Sequence, residues 1–361
     1  MKQATCTWII AWAFLLVMPV LSAQEILPRL KFKAHSGSTR TVLITADDKF
    51  LITLGGEYLK NDGKLVGDRS VKLWEFATGE QRDFPMLNGQ SIALSRDGRK
   101  IAVADDNSVR VVDLHTGKDL ATINENAVPV VCVAFSPDGK TLAMGWSNDG
   151  PKPGGKVGVA QLWDLATGKP IATLEPSRGP MRELAFSPDG KLLAVATQTF
   201  PSIGDVRFWD VSAGKVHSTL EAGGVDCIAF SPDGKMLAAG CGGRLDRSKK
   251  DPPSHVRLWD VVAANSIHSC RHEFRVMCLA FSPDGKKVAA GSELGELALW
   301  DSATGKLCCY VPDQPWYVLS VVFAMDGKTL VSTNRDGEVC YWDMAKLPKG
   351  NADNQVGGTK R

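Results

Sequence analysis

Residues 130–144 read VVCVAFSPDGKTLAM, two short apolar runs separated by a tight-turn sequence. Within the turn, Pro137 presets φ for the second position and Gly139 tolerates the conformation that follows. The runs on either side have the length of β-strands, so the stretch predicts an antiparallel hairpin. The hexapeptide FSPDGK at its centre occurs three more times, starting at Phe186, Phe230 and Phe281.

Three degenerate copies, which place Ile44, Leu94 and Phe323 at the Phe position, raise the number of hairpin sequences to seven. Each is followed by a second motif, most often Trp-Asp, at the end of a third apolar run. Its seven members are Trp74-Glu75, Val112-Asp113, Trp163-Asp164, Trp209-Asp210, Trp259-Asp260, Trp300-Asp301 and Trp342-Asp343. A turn and a fourth run, such as residues 170–174, follow. The strict alternation predicts seven units of four antiparallel strands.

This pattern resembles the WD40-repeat β-propeller family over about Leu27 to Asp343. The resemblance implies an all-β, seven-bladed ring. No fourth strand follows Trp342-Asp343, whereas residues 30–33 (LKFK) precede the first unit without a unit of their own. Because a closed ring removes exposed sheet edges, we expect this N-terminal strand to complete blade 7, as it does in the family. We expect residues 24–343 to form the propeller and residues 344–361 to be a disordered polar tail.

The N-terminus has the pattern of a secretory leader. Residues 8–21 are apolar and uncharged, and Lys2 precedes them. A span of about 20 apolar residues is needed to cross a bilayer, so this run is too short for a stable anchor. Small residues ending at Ala23 suit a signal peptidase, with cleavage after Ser22 as the alternative. We predict a signal peptide over residues 1–23 and a secreted or periplasmic protein, of an exported bacterial type within the family.

Composition excludes several classes of protein. A hydrophobic share of 44% and a charged share of 23% exclude global disorder. The formal net charge is only +2, so nothing in the charge balance indicates a nucleic-acid partner.

The separation between the two motifs differs from blade to blade. From the Phe position to the Trp position it is 30, 18, 28, 23, 29, 19 and 19 residues. The extra length lies between strands b and c of blades 1, 3, 4 and 5, in residues 55–67, 146–156, 198–204 and 241–254. In an antiparallel blade the b–c and d–a connections leave at the same end, so all four insertions lie on one face, which we call the loop face. Variable loops on a rigid scaffold usually carry function.

By family geometry, residues four and six positions before the Phe position line the central opening on the loop face. The four-back set is Arg40, Gln90, Val131, Arg182, Asp226, Met277 and Leu319, and the six-back set is Ser38, Asn88, Pro129, Pro180, Gly224, Arg275 and Tyr317. This mixture suits polar contacts with a peptide or an anion, and it does not suit an oxygen-rich Ca²⁺ cage. The candidate binding residues are Arg40, Arg182, Asp226, Arg275, Tyr317, Trp146, Arg244 and Arg247. Simple loop packing is the alternative role for Trp146, and a solvated basic loop is the alternative for Arg244 and Arg247.

Two histidines lie nine residues before their Phe positions. The resemblance implies a structural hydrogen-bond network there, in which His connects through Ser or Thr to Trp and is held by an Asp. Blade 1 alone has the full set, His35, Thr53, Asp68 and Trp74. Blade 6 has His272 but Ala290 in the Ser/Thr position, and blade 7 has Gln314 instead of His.

No catalytic or metal-binding motif is present: there is no paired-His zinc helix, no G-x-S-x-G and no C-x-x-C. Cys132, Cys227 and Cys278 occupy equivalent positions of different blades, too far apart for disulfides, so we expect mostly free, buried thiols. The leading hypothesis is a non-catalytic, monomeric scaffold without cofactor, metal or nucleic acid, whose partner is a protein or peptide, an acidic one being a candidate. The alternative is a propeller enzyme (a hydrolase, lyase or quinone-dependent dehydrogenase) with its active site at the central opening. A cluster of convergent acids or His at the rim would indicate such an enzyme, and the sequence does not show one.

Overall fold

The computed structural model describes residues 27–59, 65–106, 108–124, 128–149, 156–174, 179–198, 204–242, 254–272, 274–312 and 317–349. The described residues form strands, turns and bends without a helix. Among them there is accordingly no helical segment with the length and hydropathy needed to cross a membrane.

The strands group into seven antiparallel four-stranded sheets, the blades, each of which runs from strand a at the channel to strand d at the outside. Blade 1 consists of β2 (Ser38–Ile44), β3 (Phe50–Gly56), β6 (Ser70–Glu75) and β7 (Gln81–Asn88), and blade 2 of β8 (Ser91–Leu94), β9 (Lys100–Ala104), β10 (Val109–Asp113) and β11 (Asp119–Ile123). Blade 3 consists of β12 (Cys132–Phe135), β13 (Thr141–Asp149), β14 (Lys156–Asp164) and β15 (Lys169–Thr173), and blade 4 of β16 (Met181–Phe186), β17 (Leu192–Thr197), β18 (Val206–Asp210) and β19 (Lys215–Leu220). Blade 5 consists of β20 (Val225–Phe230), β21 (Met236–Cys241), β22 (Ser254–Asp260) and β23 (Asn265–His272), and blade 6 of β24 (Val276–Phe281), β25 (Lys287–Ser292), β26 (Leu297–Asp301) and β27 (Leu307–Val311). Blade 7 consists of β28 (Val318–Phe323), β29 (Thr329–Asn334), β30 (Glu338–Asp343) and the first strand of the chain, β1 (Leu30–Lys33).

The N-terminal strand closes the ring, as predicted. β1 pairs antiparallel with β30, from Leu30 opposite Tyr341 to Lys33 opposite Glu338. Phe32 also packs against Trp74 of blade 1, with ring centroids 4.8 Å apart. The first strand therefore joins blade 7 by backbone pairing and blade 1 by aromatic packing, so the fold is the seven-bladed β-propeller that the repeats predict.

The Ser-Pro-Asp-Gly turns are stabilised by their own side chains. In blade 3, Ser136 Oγ donates to Asp138 Oδ1 at 2.6 Å, and the backbone N–H of Lys140 donates to the same carboxylate at 3.1 Å. Gly139 has φ of 65°, which only glycine adopts without strain. The same contacts recur at Ser187, Ser231 and Ser282. Each hairpin is therefore determined by five or six consecutive residues. We call the end of the disc that bears these turns the turn face.

The core lies between blades rather than within one of them. One cluster, for example, joins Ala143 and Leu162 of blade 3 to Leu193 and Trp209 of blade 4. Successive residues such as Leu142, Ala143 and Met144 are all fully buried, because both faces of the middle strands are covered by neighbouring blades. All eight cysteines of the described residues are free, and seven of them are buried.

Two boundaries differ from the sequence prediction. In the blade 3 insertion, expected as a loop from Trp146 to Lys156, β13 extends to Asp149 and pairs with β14 from Lys156, while residues 150–155 lie outside the described residues. In blade 1, β4 (Tyr58–Leu59) and β5 (Leu65–Val66) form a small hairpin within the insertion.

The predicted tail boundary at residue 344 is also too early. Met344 and Leu347 pack against the cluster between blades 6 and 7, and Lys349 forms a bridge with Cys309 of β27. The apolar side chains of this short segment therefore keep it on the propeller. Residues 350–361 and the predicted leader, residues 1–23, lie outside the described residues.

Candidate functional site

The inner strands surround a central channel. Each begins at the loop face and ends at the turn face, and inner strands of consecutive blades contact one another all around the ring, including β28 with β2. The first residues of these strands therefore encircle the opening on the loop face. We call this opening, lined by the four-back and six-back residues, the channel mouth.

A repeated irregularity shapes the channel mouth. In five blades the pairing of strands a and b shifts by one residue, which leaves the four-back residue unpaired; these residues are Arg40, Arg182, Asp226, Met277 and Leu319. A β-bulge redirects the side chain of the extra residue. The residues immediately before Arg40 and Arg182, which are Thr39 and Met181, are buried, whereas both arginines are exposed. The bulges thus direct the four-back side chains towards the opening.

Two of the predicted binding residues pair with each other. Arg275 Nε donates to Asp226 Oδ2 at 2.7 Å, and Arg275 Nη2 donates to the other carboxylate oxygen. Both side chains are largely buried, at 17% and 7% exposure, and the bond to Asp226 raises the pKa of Arg275. This bidentate pair connects blades 5 and 6. Its two charges are therefore already compensated at the channel mouth.

A second ion-pair cluster joins blades 1 and 2. Arg69 Nη1 lies 3.1 Å from Asp106 Oδ1, and Arg69 Nε lies 3.6 Å from Glu57 Oε2. Gln90, a four-back residue, also donates to Asp106. Sequence reasoning did not single out Arg69, Glu57 or Asp106, because they follow no repeat position that the resemblance marks.

The remaining candidates occupy different environments. Tyr317 lies half-buried at the channel mouth, and the Arg335 guanidinium is 5.3 Å from its ring centroid. Trp146 is a strand residue of β13, half-buried against the cluster between blades 2 and 3, so it contributes packing. Arg244 and Arg247 lie outside the described residues.

Arg40 and Arg182 differ from the other charged residues at the channel mouth. Neither has a hydrogen-bond or ion-pair partner among the residues that the structure describes. Desolvation lowers the pKa of Arg40, and the nearby charge of Arg69 lowers it further. The two bulged arginines therefore present uncompensated positive charge at the opening.

Blade 1 contains a complete buried network. Trp74 Nε1 donates to Thr53 Oγ1 at 2.8 Å, His35 Nε2 lies 2.8 Å from the same oxygen, and His35 Nδ1 lies 2.9 Å from an oxygen of Asp68. Burial lowers the pKa of His35, which favours the neutral form of its ring. With the Thr53 hydroxyl donating to Nε2, Nδ1–H donates to Asp68 and every group is satisfied.

The Asp68 carboxylate is stabilised in its charged form. Burial acts to raise its pKa, but hydrogen bonds from Ser70, His35 and Ser36 outweigh this effect and hold the pKa well below its usual range. The network therefore ties the loop-face end of blade 1 to its core, which is a structural role.

Blade 6 contains a different network. His272 Nδ1 lies 3.7 Å from Glu296 Oε2, and the Tyr310 hydroxyl donates to the other carboxylate oxygen. Glu296 precedes Trp300 by four residues, whereas Asp68 precedes Trp74 by six, so the family spacing does not identify it. His272 Nε2 is buried and has no hydrogen-bond partner among the described residues. Ala290 is the fourth residue of β25, and the fourth residue of β3 in blade 1 is Thr53, whose hydroxyl contacts His35. Burial lowers the pKa of His272 to about 4.

We expect Ala290→Thr to stabilise the protein by supplying the missing hydroxyl. One net hydrogen bond contributes about 1 kcal/mol, and relief of an unsatisfied buried nitrogen adds to this. The measurement is the urea midpoint of unfolding. Ala290→Val is the matched control, because it adds similar volume without a hydroxyl; equal midpoints for the Thr and Val variants would contradict the prediction.

Metal ligands do not converge in the described parts of the chain. Among those residues, no group of three or more His, Cys, Asp or Glu side chains is arranged to hold an ion.

Comparison with known proteins identifies the repeats. The family model described as "WD domain, G-beta repeat" matches residues 117–150, 214–248, 264–301 and 307–343. Over 143 residues the chain is 33% identical to an uncharacterized WD repeat-containing protein of Synechocystis sp., covering 38% of each chain. It is also 27% identical over 215 residues to Periodic tryptophan protein 2 of Arabidopsis thaliana, covering 49% of this chain and 22% of that protein. With Protein tipD of Dictyostelium discoideum it shares 23% identity over 301 residues, covering 80% of this chain and 44% of that protein.

The matched segments span less than half the length of each of these three relatives. What they share with this chain is the repeat itself, which is also visible in the seven four-stranded blades and in the alternation of Ser-Pro-Asp-Gly and Trp-Asp motifs. The chain contains WD40 repeats and folds as a seven-bladed β-propeller.

Proposed function

We propose that the protein is a non-catalytic scaffold that acts outside the cytoplasm. Its loop face binds a protein or peptide partner, for which an acidic segment is a candidate. The observation that carries this proposal is the asymmetry of the disc. The turn face is built from short turns whose polar side chains bond to their own backbone. The loop face combines the long b–c connections with a channel mouth that contains arginines and Tyr317.

The chemistry of the loop face suits protein recognition. Arginine and tyrosine are enriched among the residues that dominate binding energy at protein interfaces. The ion pairs from Arg275 to Asp226 and from Arg69 to Asp106 hold neighbouring blades in register around the channel mouth. A rigid surface loses little conformational entropy on binding, which favours affinity.

The proposed location rests on the N-terminal sequence. Residues 8–21 are apolar and are followed by the small residues Ser22 and Ala23. The interblade surfaces are already buried within one chain, which supports a monomeric ring. We therefore expect the exported chain to start near Gln24 and to work as a monomer.

The experiment is quantitative capture with the exported protein. The full chain is expressed in its own host and its N-terminus is sequenced, with a start near Gln24 expected. The mature protein is then used as bait, and partners identified by mass spectrometry are titrated against variants. Tyr317→Ala combined with Arg244→Ala and Arg247→Ala should weaken binding by roughly 30-fold or more, since loss of a hot-spot residue costs about 2 kcal/mol.

The matched control removes charge from the opposite face. Lys140 and Lys235 are exposed beside two Ser-Pro-Asp-Gly turns, so Lys140→Ala with Lys235→Ala should leave partner binding unchanged. Loss of capture in this control, with intact binding in the loop-face variant, would assign binding to the turn face. Retention of Met1 in the purified protein would rule out the proposed location.

A further inference from the structure

We propose that Arg40 and Arg182 form an oxyanion-binding site at the channel mouth, which takes a carboxylate or phosphate group carried by the partner. The inference rests on the proposed function and adds the chemical class of the group that is recognised. Both arginines are four-back residues of inner strands, and both are left out of strand pairing by a β-bulge.

The first observation is the missing acceptor at Arg40. A guanidinium offers five N–H donors and remains charged in proteins, so one that lies near a second positive charge without an acceptor is unfavourable. Arg40 is exposed, has no partner among the described residues, and is repelled by the nearby charge of Arg69. A bound oxyanion supplies both the acceptors and the opposite charge.

The second observation is the arrangement of the two arginines. They belong to inner strands of blades 1 and 4, three positions apart in a closed seven-blade ring, so their backbones lie on nearly opposite sides of the channel mouth. Arg182 is exposed and also has no partner among the described residues. A tetrahedral phosphate or a pair of carboxylates can accept hydrogen bonds from two sides at once.

The third observation concerns the neighbouring acids, which are already engaged. Asp226 is bound to Arg275, and Asp106 is bound to Arg69 and Gln90. Glu183, the residue after Arg182, accepts the backbone N–H of Ile228 at 2.6 Å. These carboxylates thus bond to groups other than Arg40 and Arg182, which leaves the two arginines for an external anion.

The test measures anion binding by the mature protein with isothermal titration calorimetry at low ionic strength, where screening is weak. The probes are inorganic phosphate and an acetylated, amidated tetra-aspartate peptide, which separate phosphate from carboxylate as the preferred group. We expect the wild-type protein to bind at least one probe. Arg40→Ala with Arg182→Ala should reduce the affinity at least tenfold, whereas Arg40→Lys with Arg182→Lys should lose part of it, because lysine retains the charge without the bidentate geometry.

Lys140→Ala with Lys235→Ala is the matched control, since it removes two positive charges from the turn face and should bind the probes as wild type does. If the control bound the probes as weakly as the double alanine variant, the loss of affinity would follow from net charge, and the proposed site would be wrong. Failure of the wild-type protein to bind either probe would also contradict the proposed site. If the double alanine variant does not fold, Arg40→Gln and Arg182→Gln are measured singly, with the same criterion. The two proposals can fail separately. If neither small probe binds but the partner is still captured, the proposed anion site is wrong and the proposed scaffold function of the loop face is retained.

Discussion

Deletion of residues 25–33 is expected to destabilise the propeller severely and to cause aggregation. The deletion removes β1, so blade 7 is left with three strands and β30 loses its outer partner from Glu338 to Tyr341. An unpaired strand edge is a template for pairing with other chains. The deletion also removes the Phe32 ring, whose centroid lies 4.8 Å from the ring centroid of Trp74 and 6.3 Å from that of Tyr341. The measurement is the unfolding temperature together with light scattering on heating.

A point substitution separates aromatic packing from strand pairing. Phe32→Ala preserves the backbone ladder but should cost roughly 2–4 kcal/mol, in the range of large-to-small substitutions at packed positions. Lys33→Ala is the control, because Lys33 is the exposed neighbour on the same strand. If the truncated protein melted at the same temperature as the intact one, closure of the ring by β1 would contribute nothing to stability.

The protein is expected to become less stable as the pH rises through 7, and Glu183→Gln is expected to remove this loss. Glu183 belongs to a set of inner-strand residues, three before the Phe position, whose side chains reach the next blade. Its carboxylate accepts the N–H of Ile228 at 2.6 Å, just as Ser320 Oγ accepts the N–H of Val42 at 3.2 Å. Where the other positions have Ser, Thr or Cys, blade 4 places an acid.

Burial raises the pKa of Glu183 to about 7 from its usual value of 4.5, although the hydrogen bond from Ile228 opposes the change. The folded state therefore retains a proton that the unfolded state releases. This contribution to stability is fully present below pH 4.5 and is lost as the pH rises through 7. The loss amounts to at most about 3 kcal/mol, and solvent access in the channel makes it smaller.

The measurement is the free energy of urea unfolding between about pH 5 and 8. Gln can still accept the Ile228 N–H but carries no charge, so the stability of Glu183→Gln relative to wild type should increase with pH. His272, whose pKa is lowered to about 4, titrates in the opposite sense but is present in both proteins and cancels in the difference. Glu221→Gln, at an exposed position, should match wild type at every pH. A difference between Glu183→Gln and wild type that is constant with pH would show that Glu183 is not buried as a protonated acid.

Much of the fold was predictable because its signals are local. Ser136, Asp138 and Gly139 make one turn with contacts over five residues, so each FSPDGK sequence specifies a hairpin without help from the rest of the chain. The pairing of β1 with β30 was predictable from a count of strands. Blade 7 lacks a fourth strand, β1 has no blade of its own, and a closed ring leaves no exposed sheet edge. The prediction of a loop for the blade 3 insertion is wrong at both ends, because β13 and β14 continue their pairing to Asp149 and Lys156, and no repeat motif marks this extension.

The repeat register predicts that Arg40, Arg182, Asp226, Arg275 and Tyr317 lie around one opening, because equivalent residues of a ring share one radius and height. It does not predict which of their charges are paired with a neighbouring residue. Which of them are compensated was decided only in three dimensions. Asp226 and Arg275 are 49 residues apart in the chain, and they meet because neighbouring inner strands are in contact and a bulge takes Asp226 out of strand pairing. Hydrogen bonds between blades depend on such angstrom-scale displacements, which no residue spacing encodes. The tertiary structure alone therefore decides that Arg40 and Arg182 have no partner among the described residues and that Glu183 accepts the N–H of Ile228.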